Sequence, residues 1–275
     1  MEAETKYGKL IDCLKEQGRV AVAFSAGADS TLLLYAAVEA LGEGALAVTA
    51  KSPSVPDSEV AEAAETAREF GARHIIIETR EFDSPEFRHN PRNRCYLCKS
   101  ELFRRIKEAA GEGYKIAEGS NMDDLGDYRP GLAAGAEAGV LSPLRTAGLT
   151  KAEIREISRK LGLKTWDKPA YACLGSRFQY GEEMTDLALS QIARAEAFLR
   201  EKGVKQARVR YHAGKDGRNP IARLELDKDG FALLQNEEGR REIGEKFKEI
   251  GFAYAAADIL GYRAGSGNEN LAEVD

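Results

Sequence analysis

The sequence lacks any long apolar run and any excess of positive charge. No stretch of its 275 residues approaches the ~18 consecutive apolar residues of a membrane-spanning helix, so we expect no membrane partner. The start, Met1–Lys6, is polar and has no apolar signal core, which predicts a cytoplasmic protein. The formal net charge of −5 argues against a protein that mainly coats nucleic acids, whereas small anionic substrates stay possible.

Cysteine is also scarce, at four residues in the whole chain. In a protein expected to be cytoplasmic, such thiols are typically reduced, metal-bound or catalytic, and a disulfide framework is not expected. Cys13 lies with Leu10 and Leu14 at helical spacing, so we assign it to packing. The length and the 43% hydrophobic content allow a sizeable core and about two domains.

The stretch Arg19–Tyr35 organises the first half of the chain, because an apolar run stops at a small-residue turn and resumes with helical spacing. It predicts a strand, a loop and a helix, with the loop Ser25–Ser30 presenting backbone N–H groups and the positive helix end to a polyphosphate. The loop matches neither the Gly-x-x-x-x-Gly-Lys-Ser/Thr motif nor Gly-x-Gly-x-x-Gly. A tight turn of small residues that serves packing alone is the competing interpretation.

Strands and helices alternate along the first part of the chain, which predicts an α/β fold: a Rossmann-like domain with a parallel sheet over residues 1–168. Its further predicted elements are Ala45–Thr49, Asp57–Phe70, His74–Glu78, Lys99–Ala110, Tyr114–Glu118 and a helix opened by the capping box Thr150–Glu153. A small C-terminal α/β domain is predicted over residues 169–275. Its elements are Asp186–Lys202, Val204–His212, Ile221–Asp227, Arg240–Ile250 and Phe252–Ile259.

An acidic loop follows the fourth predicted strand, and the ends of parallel strands meet along one edge of a sheet. It carries Asn121, Asp123, Asp124 and Asp127. Oxygen donors beside a polyphosphate suit Mg²⁺, and Asp29 with Asp124 is the preferred pair. Helix capping is an alternative role for some of these side chains.

Three further cysteines form the second chemical signal. Cys95 and Cys98 make a Cys-x-x-Cys motif, which fits a redox pair, half of a zinc site or half of an iron–sulfur site. Cys173 lies in a segment flanked by proline and glycine at the predicted domain junction. Three thiolates favour a [4Fe–4S] cluster with one open iron, whereas His89 would complete a zinc site, and unrelated thiols are a third possibility.

The predicted hairpin of the second domain places several charged residues on one face. They are Arg208, Arg210, Arg223, Glu225 and Asp227. A solvent-exposed strand face explains them, and two arginines one residue apart on one face also suit a phosphate. Glu196 and Asp227 are candidates for a second divalent metal.

The loop Ser25–Ser30 resembles the Ser-Gly-Gly-x-Asp-Ser loop of the PP-loop ATP pyrophosphatases, with Ala26 in place of a glycine. In that family Ser25, Gly27, Asp29, Ser30, Asn121 and Asp124 are expected at the nucleotide. The alanine is unfavourable if the position requires a positive φ.

Further segments, together with that loop, look like the LarE family, the ATP-dependent sulfur insertases of nickel-pincer nucleotide biosynthesis. They are Arg94–Lys99, Gly119–Asp124, Asp127–Gly131, Lys168–Cys173, Ser176–Phe178 and Gly261–Gly265. The resemblance implies that ATP adenylates a carboxylate of pyridinium-3,5-biscarboxylic acid mononucleotide, that sulfur displaces AMP, and that Arg208 and Arg210 bind the substrate phosphate. It also implies a homo-oligomer.

Members of this family differ in their sulfur source. Those with only the cysteine matching Cys173 give up its own sulfur, and those that also carry Cys-x-x-Cys are thought to hold a [4Fe–4S] cluster. With Cys95, Cys98 and Cys173 all present, we expect the cluster, supplied by sulfide or another sulfur donor. The competing functions are a tRNA thiolase, disfavoured by the negative charge, an amidating PP-loop enzyme, and a non-catalytic adenine-nucleotide-binding protein with structural zinc.

Overall fold

The computed structural model describes residues 2–126, 130–169, 172–263 and 265–267, and its contacts divide the chain into two units. The first unit is Met1–Ser84 with Asn93–Tyr171, and the second is Pro85–Arg92 with Ala172–Asp275. The helices are α1 Glu2–Lys15, α2 Ala28–Leu41, α3 Asp57–Glu69, α4 Pro85–Arg88, α5 Arg94–Ala110, α6 Pro130–Glu137, α7 Pro143–Thr146, α8 Lys151–Lys160, α9 Asp186–Glu201, α10 Lys228–Gln235 and α11 Glu237–Ile250. The strands are β1 Val20–Ala23, β2 Ala45–Lys51, β3 Arg73–Glu78, β4 Lys115–Ala117, β5 Ala207–His212, β6 Ile221–Leu226 and β7 Tyr254–Ala257.

The sheet of the first unit is parallel and has the strand order β3-β2-β1-β4. Strand β1 is apolar throughout because both of its faces are covered. Val20 and Val22 belong to the core cluster that includes side chains of α1, α2, α3 and α8, whereas Ala21 belongs to a second cluster with Phe103 and Ile106 of α5. The predicted α/β class with a Rossmann-like parallel sheet is confirmed.

Two features of the first unit follow directly from local sequence signals. The capping box at α8 is present: the Thr150 hydroxyl accepts from the Glu153 N–H, and the Glu153 carboxylate accepts from the Thr150 N–H. Helix α5 begins at Arg94, so the helix predicted from Lys99 starts one turn earlier and contains Cys95 and Cys98.

The second unit contains a three-stranded sheet in which β6 pairs antiparallel with β5 and parallel with β7. Val209 lies opposite Leu224 and Arg208 opposite Glu225, so the register places apolar and charged side chains on opposite faces as predicted. The sequence pattern did not predict helix α10. Among the described residues, no helix is long and apolar enough to cross a membrane.

The middle of the polar segment 80–94 belongs to the second unit. The Asn90 side chain is buried and donates from Nδ2 to the Gln179 carbonyl at 2.7 Å. Arg88 pairs with Asp186 at the start of α9 at 3.0 Å. The chain therefore leaves the first unit after β3, packs into the second, and returns to begin α5.

Gly8→Ala is expected to raise the free energy of unfolding by about 1 kcal/mol, because alanine stabilises a helix interior relative to glycine. Gly8 is exposed within α1. Apart from its chain neighbours and the backbone of its own helix, no atom of the described residues lies within 4 Å of the position that a Cβ would take. Urea unfolding followed by far-UV circular dichroism measures the change. Gly44→Ala is the matched control and should destabilise, since its Cβ would lie 2.6 Å from the Gly18 carbonyl oxygen. Equal effects of both substitutions would contradict the prediction.

Candidate functional site

The turn between β1 and α2 presents the free N-terminus of α2. Gly27 occupies the N-cap position with no side-chain hydrogen bond to the first turn of the helix. The Ser25 hydroxyl lies 3.2 Å from the Ser30 hydroxyl, and the Ser30 hydroxyl donates to the Gly27 carbonyl at 3.2 Å. A helix N-terminus without a cap, lined by two hydroxyl groups, has the donors that an anionic group requires.

The backbone before this turn is fixed by β2 and β3. The Phe24 N–H donates to the Val48 carbonyl at 2.9 Å, and the Thr49 hydroxyl donates to the Phe24 carbonyl at 2.9 Å. His74 Nε2 lies 2.9 Å from the same hydroxyl oxygen. Because the hydroxyl hydrogen is donated to Phe24, His74 Nε2 donates to the hydroxyl oxygen. Burial lowers the pKa of His74, which favours the neutral ring. Both backbone groups of Phe24 are thus held, so the loop starts from a fixed point.

Ala26 adopts a φ of +52° and is fully buried. Ala26 thus adopts the left-handed conformation, in which alanine is unfavourable and glycine is not. The Lys168 ammonium donates to the Ala26 carbonyl at 3.0 Å. Nothing in the local sequence around the loop indicates this partner.

Asp29 and Asp124 form an acidic pair beside the first turn of α2. Asp29 is ion-paired with Lys151 through Oδ2, while its buried Oδ1 has no hydrogen-bond partner among the described residues. Burial raises the pKa of Asp29 despite the Lys151 ammonium, and the charge of Asp124 contributes to the rise. A buried carboxylate oxygen without a donor, close to a second carboxylate, fits a divalent cation such as Mg²⁺.

The remaining side chains of the acidic loop have local structural roles. The Asn121 carbonyl oxygen Oδ1 accepts from the Asp123 N–H at 2.9 Å, and Asp123 Oδ2 accepts from the Lys151 N–H at 2.7 Å. Asp124 Oδ2 accepts from the Asn121 N–H at 2.9 Å. Asp123 therefore caps helix α8, which is the alternative role predicted for some of these side chains. Asp127 lies outside the described residues.

Cys95 is exposed and Cys98 is half-buried, on the same side of α5 near its N-terminus. Lys99 of the same helix is ion-paired with the buried Glu118, which also accepts from the Ser120 hydroxyl at 2.8 Å. A set of thiolates suits zinc or iron. Within each unit, the described residues bring together no group of three His, Cys, Asp or Glu side chains that would hold a metal ion.

Cys173 is exposed in the second unit, and its backbone is fixed by Arg177. The Arg177 guanidinium donates from one nitrogen to the carbonyls of Ala172 at 2.7 Å and Cys173 at 3.2 Å. Its two other nitrogens donate to the two oxygens of Glu196, each at 2.8 Å, and both side chains are almost fully buried. Glu196 also accepts from the Val209 N–H at 3.0 Å.

The centre of the charged face of the β5–β6 hairpin is buried, so its interpretation as a solvent-exposed face is wrong for Arg208, Arg210 and Glu225. Arg208 is 4% exposed and Arg210 is 8% exposed. Arg210 donates to the Glu225 carboxylate at 2.9 Å. It also donates to the Ser176 carbonyl, and this bond links the sheet to the cysteine segment, residues 172–178. Burial lowers the pKa of Arg208, and the charge of Arg177 lowers it further. Crowded buried cations of this kind are stabilised by an anion.

Glu196 and Asp227 are the candidates for a second divalent metal. Glu196 is occupied by Arg177, and Asp227 caps α10 by accepting from the Gly230 N–H at 2.9 Å. The other Asp227 oxygen accepts from the Gln206 N–H at 2.8 Å. Both carboxylates therefore accept hydrogen bonds from other groups of the protein. The sequence pattern assigned no role to the side chains of Arg177, Lys151 and Lys168, whose partners Glu196, Asp29 and Ala26 are distant along the chain.

The chain matches no protein-family model, but it matches proteins along their whole length. An uncharacterised protein of Synechocystis sp. is 40% identical over 270 residues, which cover 98% of each chain. An uncharacterised protein of Methanocaldococcus jannaschii is 30% identical over 264 residues, covering 94% of this chain and 98% of the relative. The pyridinium-3,5-bisthiocarboxylic acid mononucleotide synthase of Lactiplantibacillus plantarum is 35% identical over 275 residues, covering 98% of this chain and 96% of the synthase. Identity at this level along nearly all of both chains shows that the protein belongs to the family of that synthase, the LarE family.

Proposed function

We propose that the protein is an ATP-dependent sulfur transferase that acts on pyridinium-3,5-biscarboxylic acid mononucleotide and converts a carboxylate into a thiocarboxylate. The observation that carries the proposal is the 35% identity, over 98% of this chain, to a synthase named for the bisthiocarboxylic product. The arrangement at α2 supports the same function, because it combines anion-binding donors with a carboxylate oxygen that lacks a partner among the described residues.

The nucleotide step uses the first unit. Ser25, Gly27 and Ser30 would donate to the phosphates of ATP, while Asp29 and Asp124 would hold Mg²⁺ against them. A substrate carboxylate oxygen attacks the α-phosphorus, the bond to the β-phosphate oxygen breaks, and pyrophosphate leaves. The chain mainly positions the reactants and stabilises the charge on pyrophosphate.

The sulfur step replaces AMP. Cys95, Cys98 and Cys173 would be the ligands of a [4Fe–4S] cluster, which when bound leaves one iron open for a transferable sulfide. Sulfur attacks the carbonyl carbon of the acyl adenylate, and the carbon–oxygen bond to AMP breaks. Arg177 keeps the Cys173 backbone in place during this step, and Arg208 and Arg210 would bind the phosphate of the substrate.

Pyrophosphate release tests the function. Anaerobically purified protein with ATP and Mg²⁺ should release pyrophosphate only when the pyridinium dicarboxylate nucleotide is added, and the product should carry sulfur by mass spectrometry. Unfractionated tRNA in place of the nucleotide is the matched control and should give no release. Release with tRNA alone would favour a tRNA thiolase. Colourless protein that contains zinc and no iron would contradict the cluster.

Gly119→Ala is expected to weaken ATP binding about tenfold or more. A Cβ at Gly119 would lie 3.1 Å from the Ser30 backbone nitrogen and 3.2 Å from Asp29 Cβ, so the first turn of α2 would have to move. Equilibrium binding of ATP with Mg²⁺ measures the effect. Gly8→Ala, remote in α1, is the control and should bind as the wild type does. Unchanged affinity of the Gly119 variant would place the nucleotide elsewhere.

A further inference from the structure

The loop Ser25–Ser30 contains a buried residue in an unfavourable conformation. Ala26 has a φ of +52°, and a residue with a Cβ adopts this region at a cost of about 1–2 kcal/mol. The residues immediately after it, Gly27 to Ser30, form the N-terminus of α2. A relaxation of Ala26 towards negative φ would therefore turn the amides that the loop presents.

Lys168 holds the carbonyl of this residue. Its ammonium donates to the Ala26 oxygen at 3.0 Å and pairs with Glu62 Oε2 at 2.7 Å, and its side chain is only 14% exposed. The backbone of Lys168 is itself fixed, because its N–H donates to the Thr165 carbonyl at 3.1 Å and its carbonyl accepts from Arg155 at 3.3 Å. A charged donor on a fixed support thus contacts the strained peptide directly.

We propose that Lys168 is a positioning residue that keeps Ala26 in the left-handed conformation and so keeps the amides of the loop aligned for a triphosphate. That the loop binds a triphosphate rests on the proposed function, whereas the effect of Lys168 on the conformation of Ala26 does not. A hydrogen bond from an ammonium group to a carbonyl is stronger than a neutral one, and this bond acts on a peptide whose conformation is unfavourable.

The importance of Lys168 for the loop depends on the residue at position 26. With alanine, loss of the ammonium allows the strained peptide to relax. With glycine, the left-handed conformation has no steric cost, so the loop stays in place without Lys168. A direct contact between Lys168 and the phosphates would behave differently, because its loss would weaken nucleotide binding equally with either residue.

Amide hydrogen exchange of the ligand-free protein tests the conformational effect. Lys168→Met should accelerate exchange of the peptide spanning residues 24–34 about tenfold, which corresponds to about 1.4 kcal/mol. In the Ala26→Gly background, the same substitution should change the rate less than about threefold. Lys168→Arg should retain most of the protection, since a guanidinium also donates to the carbonyl. Lys164→Met, which removes an exposed lysine paired with Glu69, is the control and should change nothing.

ATP binding of the same variants completes the test. Lys168→Met should weaken binding about tenfold in the wild-type background and less than about threefold in the Ala26→Gly background. Equal acceleration of exchange in both backgrounds, or none in either, would overturn the proposal. If exchange follows the prediction but the wild type does not bind ATP, the positioning role stands and the proposed function fails.

Discussion

Glu196→Ala is expected to lower the free energy of unfolding by about 3–5 kcal/mol, because it leaves the Arg177 guanidinium buried without its carboxylate. The two side chains are 1% and 3% exposed and share two hydrogen bonds of 2.8 Å. The substitution also removes the acceptor of the Val209 N–H in β5. Urea unfolding followed by far-UV circular dichroism measures the loss.

Arg194→Ala is the matched control, since Arg194 lies on the same helix as Glu196 but belongs to an exposed ion pair. Its side chain is 51% exposed and 3.8 Å from Glu249, and exposed pairs of this kind contribute at most about 1 kcal/mol. Arg177→Met combined with Glu196→Leu should recover part of the lost stability, because the Arg177 guanidinium is then no longer left buried without its carboxylate. A loss from Glu196→Ala no larger than that from Arg194→Ala would contradict the prediction.

The contribution of this pair also depends on pH. Burial by itself raises the pKa of Glu196, but Arg177 and the Val209 N–H outweigh it and hold the folded-state pKa below the ordinary 4.5. A carboxyl group whose pKa is lowered in the folded state contributes stability above its unfolded pKa and loses it as pH falls through the folded value. The difference between wild type and Glu196→Gln should therefore be full at neutral pH and shrink only below about pH 4.5.

The parallel sheet and the position of the loop Ser25–Ser30 could be predicted because their signals are local. Apolar runs such as Val20–Ala23 are short and continuous, which is typical of strands covered on both faces, and small residues mark the turn to α2. The capping box Thr150–Glu153 is a similarly local signal, and the structure confirms it. Each of these features is determined by neighbours in sequence.

The burial of the charged hairpin face could not be predicted for a physical reason. Alternation in a strand identifies which residues share a face, but it does not identify what covers that face. Arg210 is covered by contacts with Ser176 and Ser266, which are far from it in sequence. The Lys168 contact with Ala26 is equally remote. These long-range polar contacts determine how the cysteine segment and the loop are held, and no local pattern encodes them.

The start of helix α5 also could not be predicted from the local sequence. The sequence predicts this helix only from Lys99, whereas the apolar side chains Phe103 and Ile106, buried against the sheet, anchor a helix that begins at Arg94. The helix places Cys95 and Cys98 one turn apart on one side. This spacing fixes the two cysteines relative to each other before any ligand binds.

Cys173→Ala is expected to reduce thiocarboxylate formation about 10³-fold or more while pyrophosphate release stays within about twofold of the wild type. The Cys173 side chain is exposed, whereas its backbone carbonyl is held by Ser176 at 2.8 Å and by Arg177 at 3.2 Å. Because these bonds are made by the backbone, alanine keeps them and removes only the thiol. Product mass spectrometry and a pyrophosphate assay measure the two steps separately.

Cys13→Ala is the matched control for the loss of a thiol. Cys13 lies half-buried in α1, and burial raises its pKa, so its removal should leave both steps unchanged. Loss of both steps in Cys173→Ala would mean that the segment around Cys173 shapes the nucleotide site and does not deliver sulfur.

The variants Cys95→Ala and Cys98→Ala distinguish the two possible sulfur sources. Under the cluster proposal both variants lose sulfur transfer, whereas a Cys173 that gives up its own sulfur would still support one turnover and would lose its thiol, which intact-protein mass spectrometry detects.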